Sequence, residues 1–357
     1  MQVIVRHQQP GGAYPACPSF SQYRHCWLRD GAFIAYAMDR SGQLDSAAAF
    51  HVWAARAIEQ HAHHIESLLA MAEAGEHPSV TAFLPARFTL DGSWLEDGWP
   101  NFQLDGYGHW LWSLAQHLTI SGQHAVPPHL ELGARLAARY LQAFWQEPCY
   151  DAWEEYRSQL HTSTLASIAG GLSAISPYLG HAFDATVAQV CSLIVNECTS
   201  HGRFVKHVKN DAVDASLLWV STPFCVVTED DPLMVATVTE IERTLVREGG
   251  TLRYLADTYY GGGAWPLLTA WLGWYHLRRG QLEKAKLALK WIDDQREDKG
   301  ELTEQVPVST TNRRFLDYWT ARWGPAATPL LWSHAMALIL AHEIDEVSGS
   351  TVEDPSS

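Results

Sequence analysis

From Leu44 onward the apolar positions Ala47, Ala48, Val52, Ala55, Ile58, Ala62, Ile65 and Leu69 recur, after the adjacent Ala47 and Ala48, every three or four residues, the spacing of one helix face. Stretches 129–146, 162–178, 182–197, 233–247 and 327–343 repeat that pattern. Residues 266–278 and 281–294 predict a helical hairpin with Gly280 at its turn. Strand-type alternation is scarce, and Arg203–Val208 is the best hairpin candidate. Roughly ten to twelve helices without a repeat of fixed period predict an all-α protein. Helical hairpins closed into a ring fit this best, and an open solenoid or irregular bundle is the alternative.

The connections differ from the helices in kind. Tyr23–Asp30, Trp94–Gly106, Asp151–Tyr156, Arg253–Trp265 and Gly300–Gln305 gather aromatic rings, acids and glycines between helical runs. Such loops on a rigid scaffold are where function concentrates.

Composition narrows the setting. Hydrophobic residues make up 47% and charged residues 18%, enough apolar material for a large core and too much for disorder. No linker composition divides the 357 residues, so one domain over 1–345 is expected, with a polar tail at 346–357. The formal charge of −15 argues against nucleic acid or an anionic membrane as partner. No apolar run of membrane-spanning length occurs. The polar and charged start of the chain lacks the apolar core of a signal peptide. The six cysteines lack metal or disulfide-framework spacing, and a cytoplasmic protein with free thiols is expected. Sixteen tryptophans is an excess. Most should fill gaps between helices, while a few could offer flat faces to sugar rings.

Glycoside cleavage needs one carboxylic acid to protonate the leaving oxygen and one carboxylate acting from the other face. Trp153-Glu154-Glu155 sets a carboxyl between an apolar ring and a like charge, both of which raise its pKa. Glu304, in Leu302-Thr-Glu-Gln305, is the second candidate. Each has an ordinary reading, a solvated helix end for the first and a capping element for the second. Arg29-Asp30 and Arg253 with Asp257 offer donors and acceptors for sugar hydroxyls, or could be plain ion pairs. Gly261-Gly262-Gly263 lacks the Lys-Ser/Thr of a phosphate loop. His61-Ala-His-His64 is the best metal-like motif, but it has no HExxH or carboxylate partner, so no metal or cofactor is expected.

Taken in order, these loops resemble the catalytic domain of the glucoamylase family, glycoside hydrolase family 15, from about Ser19 to about His342. Tyr23-Arg-His-Cys-Trp-Leu-Arg-Asp30 is similar to the first family motif, which implies that Arg29 and Asp30 hold the terminal glucose beside Tyr23 and Trp27. Trp99-Pro-Asn-Phe-Gln-Leu-Asp-Gly106 resembles the second, implying that Trp99 and Gln103 line the pocket. Asp151-Ala-Trp-Glu-Glu-Tyr156 resembles the third, which makes Glu154 the general acid, with Trp153 and Glu155 at the substrate. The Arg253–Trp265 loop resembles the fourth, bringing Arg253, Tyr259 and Trp265 to the sugar. Gly300–Gln305 resembles the fifth, with Glu304 as general base, and Trp332 matches a weaker sixth position.

The resemblance implies an (α/α)6 barrel and an inverting mechanism, with the two carboxyls about 6.5–9.5 Å apart. It implies exo attack on small α-glucosides, isomaltose-type α-1,6 sugars first, with α-1,4 saccharides and trehalose as alternatives. Because the first motif begins at Tyr23, the resemblance implies a member without the N-terminal β-sandwich of many relatives, and short sugars rather than granular starch are expected. A non-catalytic sugar-binding protein or a phosphorolytic enzyme on a related barrel are the competing classes. The retention of both glutamates with Arg29, Asp30 and Arg253 counts against them.

Overall fold

The computed structural model describes residues 1–350 except Glu96, Val308 and Ser309. Within them lie thirteen α-helices: α1 (Gln2–His7), α2 (Leu28–Arg40), α3 (Leu44–Glu59), α4 (Ala62–Glu73), α5 (Asp105–Ile120), α6 (Pro128–Phe144), α7 (Thr162–Ile175), α8 (Asp184–Glu197), α9 (Pro232–Leu245), α10 (Pro266–Arg278), α11 (Leu282–Asp294), α12 (Arg313–Trp323) and α13 (Leu331–Ser350). Six staves form a closed inner ring in which each touches the next: α2, α5, α7, the 3₁₀ segment Ala215–Val220, α10 and α13, which returns to α2. Outside it α3 packs on α2 and α5, α6 on α5, α8 on α7, α9 on the 3₁₀ stave, α11 on α10, and α1 on α13. This is an all-α protein with the (α/α)6 barrel plan.

Burial separates the two layers. In α10 every residue from Pro266 to Leu277 is buried, and in α2 every residue from Leu28 to Asp39. In outer α11 only Ala285 and Ile292 are. A stave walled on both sides must be apolar all round, whereas an outer helix needs a single stripe. Two inner staves meet backbone to backbone. A Cβ on Gly108 of α5 would stand 2.3 Å from the Ser167 carbonyl oxygen, and one on Gly171 of α7 2.2 Å from that of Gly108, so only glycine fits.

The predicted run from Leu44 to Leu69 is two helices. The chain turns at Gln60–His61, where the His61 ring packs on Phe88 and Trp94. Leu28 and Asp105 begin helices, so the segments read as loops end inside α2 and α5. The expected hairpin is a pair of two-residue strands, β3 (Thr199–Ser200) and β4 (Arg203–Phe204). Two further ribbons, β1 (Cys26–Trp27) with β2 (Arg87–Phe88) and β5 (Val246–Arg247) with β6 (Gly250–Thr251), brace the loops. Helix α13 continues to Ser350, into the segment expected as a tail, with Arg40 pairing Glu343 and Glu346. Residues 351–357 lie outside the described residues.

Candidate active site

Five of the six inner staves are preceded in the chain by one of the sequence motifs. Tyr23–Trp27 precedes α2, Trp99–Gln103 precedes α5, Asp151–Glu155 precedes α7, Arg253–Trp265 precedes α10, and Glu304 precedes α13. Those loops enclose a cavity of about 310 Å³, lined among others by Tyr23, Trp27, Arg29, Asp30, Trp99, Trp153, Glu154, Glu155, Arg253, Tyr259, Trp265, Glu304 and Trp332. Helix N-termini carry partial positive charge, which suits a cavity this rich in carboxylates.

Glu154 sits at the apex of a tight turn. Asp151 Oδ1 accepts from the backbone N–H of Trp153 at 3.0 Å and of Glu155 at 2.9 Å. The turn holds Glu154 in the left-handed region, φ 67°, a conformation costly for a side chain with a Cβ. Trp27 Nε1–H donates to Glu154 Oε1 at 2.7 Å. Burial raises the Glu154 pKa above its ordinary value, against the opposing pull of Arg29. Beneath the turn lie Lys206 Nζ, 3.2 Å from Asp151 Oδ2 and 2.9 Å from Asp214 Oδ2, and Trp153 Nε1–H, donating to Asp214 Oδ2 at 2.9 Å.

Glu304 is held by its neighbours rather than by a turn of its own. Its N–H donates to the Ala327 carbonyl at 2.9 Å, and Val306 N–H donates to the Ala264 carbonyl at 2.8 Å. Gly263 N–H donates to Gln305 Oε1 at 3.1 Å, and Gln305 Nε2–H to the Tyr259 carbonyl at 2.9 Å. A Cβ on Gly263 would lie 2.2 Å from the Val306 carbonyl oxygen. Part of the glycine triplet therefore lets two catalytic loops touch. Burial pushes Glu304 up to about 8, against Arg253 and the hydroxyls of Tyr259 and Tyr23. Those hydroxyls lie 2.8 Å from each other, and Glu304 Oε2 has no protein partner.

Both arginines are positioned by buried acids. Arg29 Nη1–H donates to Gln103 Oε1 at 2.9 Å and lies 3.3 Å from Asp105 Oδ2, while its Nε is 3.4 Å from Asp30 Oδ2. Its guanidinium lies 5.1 Å from the centre of the Trp332 ring. Burial pushes Asp30 up to about 7 despite Arg29. Arg253 clasps Asp257 through both Nε and Nη2, with Nε 2.7 Å from Oδ2, and is walled by Trp153, Tyr259 and Trp265 at 5.3 Å each. Glu155 Oε2 accepts from the Tyr254 hydroxyl at 2.5 Å, and its Oε1 stands 3.7 Å from Arg253.

The structure thus brings together every sequence candidate, with one change of place. Gln103, expected to line the pocket, is fully buried behind it as the acceptor for Arg29. Asp105, Asp257, Asp214, Lys206 and Tyr254 form the supporting layer. Of the two readings open for Asp257, the buried ion pair with Arg253 is the one observed. Asp214 and Lys206 stand alone in the sequence with no spacing signal. Trp319 and Trp323 of α12 also line the cavity. That helix has no fully buried residue and so shows no core-facing stripe. The His61 and His64 rings pack against Trp94 instead of converging on a shared point.

The comparisons with known proteins decide the family. The model of glycosyl hydrolases family 15 matches residues 1–322. The chain belongs to glycosyl hydrolase family 15. As a family 15 member it is a glycoside hydrolase. It is 42% identical over 351 residues to an isomaltose glucohydrolase of Kribbella flavida, covering 96% of this chain and 90% of that protein. A solved structure of a glycosidase variant in complex with glucose superposes with a TM-score of 0.93 at 42% identity, over 96% of this chain and 94% of that one. A bacterial glucoamylase complexed with acarbose shares the fold at a TM-score of 0.71 and 19% identity, over 94% of this chain and 53% of that one.

Proposed function

We propose that this family 15 enzyme is an inverting, exo-acting α-glucosidase. It releases β-glucose from the non-reducing end of small α-glucosides, with isomaltose-type α-1,6 sugars its first substrates. The observation that carries the reading is that Glu154 and Glu304, from loops far apart in the chain, line one cavity between Arg29–Asp30 and Arg253. The size of that cavity, about 310 Å³, falls at the low end for small-ligand pockets and suits a short sugar. The similarity to an isomaltose glucohydrolase favours the α-1,6 linkage.

Glu154 serves as the acid and Glu304 as the base. Burial favours the protonated form of Glu154, as donation to the glycosidic oxygen requires. The acidity of Glu304 runs the other way from its role, since burial alone favours a proton there too. Its free Oε2 resolves the conflict. A water or sugar hydroxyl donating to that oxygen stabilises the carboxylate, as do the Tyr23 and Tyr259 hydroxyls beside it. Positive charge developing on the sugar ring adds to that effect.

Among the described residues no helix is long and apolar enough to cross a membrane. The six cysteines are unpaired thiols, which fits a reducing, cytoplasmic setting. Residues 1–345 act as one catalytic unit. Proton NMR of a fresh isomaltose digest tests the mechanism. β-Glucose should appear first, and initial α-glucose would overturn inversion. Glu154→Gln and Glu304→Gln should each lower kcat by about 10²–10⁴-fold, the usual worth of a general acid or base.

A further inference from the structure

At the end of the barrel away from the pocket, three potential metal ligands converge inside the protein. Asp39 lies in the last turn of α2, His117 in the last turn of α5, and His51 midway along α3. One donor atom of each lies within 4.8 Å of the other two. His117 Nδ1 is 2.8 Å from Asp39 Oδ1, and the His51 and His117 ring centres are 5.0 Å apart. His51 is fully buried and His117 keeps 8% exposure, so the cluster has one edge toward solvent.

Hydrogen bonding inside the protein leaves this group unfinished. Neither ring nitrogen of His51 has a protein partner, nor does Asp39 Oδ2. A buried polar atom without a partner is destabilising, so the cluster is costly as it stands unless something completes it.

We propose that Asp39, His51 and His117 bind one divalent transition-metal ion, for which Zn²⁺ is the best fit. Two imidazoles and a carboxylate form a donor set that zinc takes readily, and three protein ligands leave a fourth tetrahedral position for water on the open His117 side. With bonds of about 2.0–2.2 Å, tetrahedral donors stand about 3.3–3.6 Å apart, so the side chains need move only about an ångström. The ion joins inner staves α2 and α5 to outer helix α3. Asp39 lies nine residues beyond Asp30 on α2, roughly 13 Å along the axis, so the ion staples the scaffold and takes no part in hydrolysis.

The full-length protein, stripped with chelator, re-equilibrated with a small excess of zinc chloride and gel-filtered, should retain one zinc per chain. It should also melt higher than the stripped protein, and with Co²⁺ it should show the visible absorption of a four-coordinate ion. In Asp39→Asn and His117→Gln the retained zinc and the melting shift should vanish. His64→Ala, in the half-buried His61/His64 pair at the start of α4, should keep both. Circular dichroism checks each variant's fold, and the wild-type cobalt spectrum stands as a test even where a variant does not fold. A wild type that retains no zinc overturns the site. So does zinc that survives His117→Gln and is lost with His64→Ala.

Discussion

Replacing Lys206 by Met strips the cation from between two buried carboxylates. Lys206 Nζ lies 3.2 Å from Asp151 and 2.9 Å from Asp214, and all three side chains are almost wholly buried. Removing one partner of a buried ionic cluster costs about 3–5 kcal/mol, because the remaining charges lose their compensation. Unfolding entropy of about 2.1 cal/mol/K per residue gives roughly 750 cal/mol/K for this chain, so each kcal/mol moves Tm by about 1.3 °C. The expected loss is therefore about 4–7 °C near pH 7.

The pH dependence fixes the cause. Burial alone would push Asp214 up, yet Lys206 and the Ser216 N–H hold it below its ordinary value. Its stabilisation is present above the unfolded carboxylate pKa and lost as pH falls through the folded one. In Lys206→Met burial prevails, the carboxyl takes up a proton at higher pH, and the deficit against wild type narrows on acidification toward about pH 4. Activity reports the geometry. Asp151 and Asp214 hold Trp153 and the Glu154 turn, and a displacement of about 1 Å there costs about 10²-fold in kcat. Thermal melts across pH and isomaltose kinetics measure both. A Tm loss under about 1 °C, or a deficit that widens in acid, would refute the reasoning.

Three further outcomes follow from the same geometry. Glu304 is raised from 4.5 to about 8, so its contribution to stability is full below its unfolded pKa and is lost as pH climbs toward 8; Glu304→Gln should melt with wild type in acid and above it in alkali, in scans across pH. Tyr23→Phe removes a hydroxyl that lowers the Glu304 pKa, so the acidic limb of kcat/KM should move to higher pH, and an unmoved limb would remove Tyr23 from that role. Trp319→Ala removes a half-buried ring at the cavity rim on the largely exposed α12, so KM for a disaccharide should rise about 2- to 10-fold with kcat and Tm nearly unchanged, as steady-state kinetics and melting would show.

What was legible in the sequence followed from how each element meets its surroundings. Outer helices such as α6 and α11 face solvent on one side, so their boundaries came through within a residue or two of 129–146 and 281–294. Inner staves α2 and α5 are buried nearly all round and carry glycines, polar residues and rings among their apolar positions, so they show no stripe and were not marked as helices. The fourth stave is a 3₁₀ segment of six residues, too short for periodicity to register. The chemistry was readable for the opposite reason. Glu154, Glu304, Arg29 and Arg253 stand in contiguous aromatic and glycine-rich motifs, because each loop must build a wall and aim a side chain within a few residues. Of their supports, Asp105 and Asp257 stand inside the same motifs, whereas Asp214 and Lys206 are single residues brought in by tertiary structure. Asp39, His51 and His117 show the same limit most plainly. They lie on three different helices with no spacing relation, while the contiguous His61-Ala-His-His64 motif packs its rings on Trp94. A linear motif marks groups that one loop must present together. A site assembled across staves leaves its mark only in the buried atoms that the fold fails to pair.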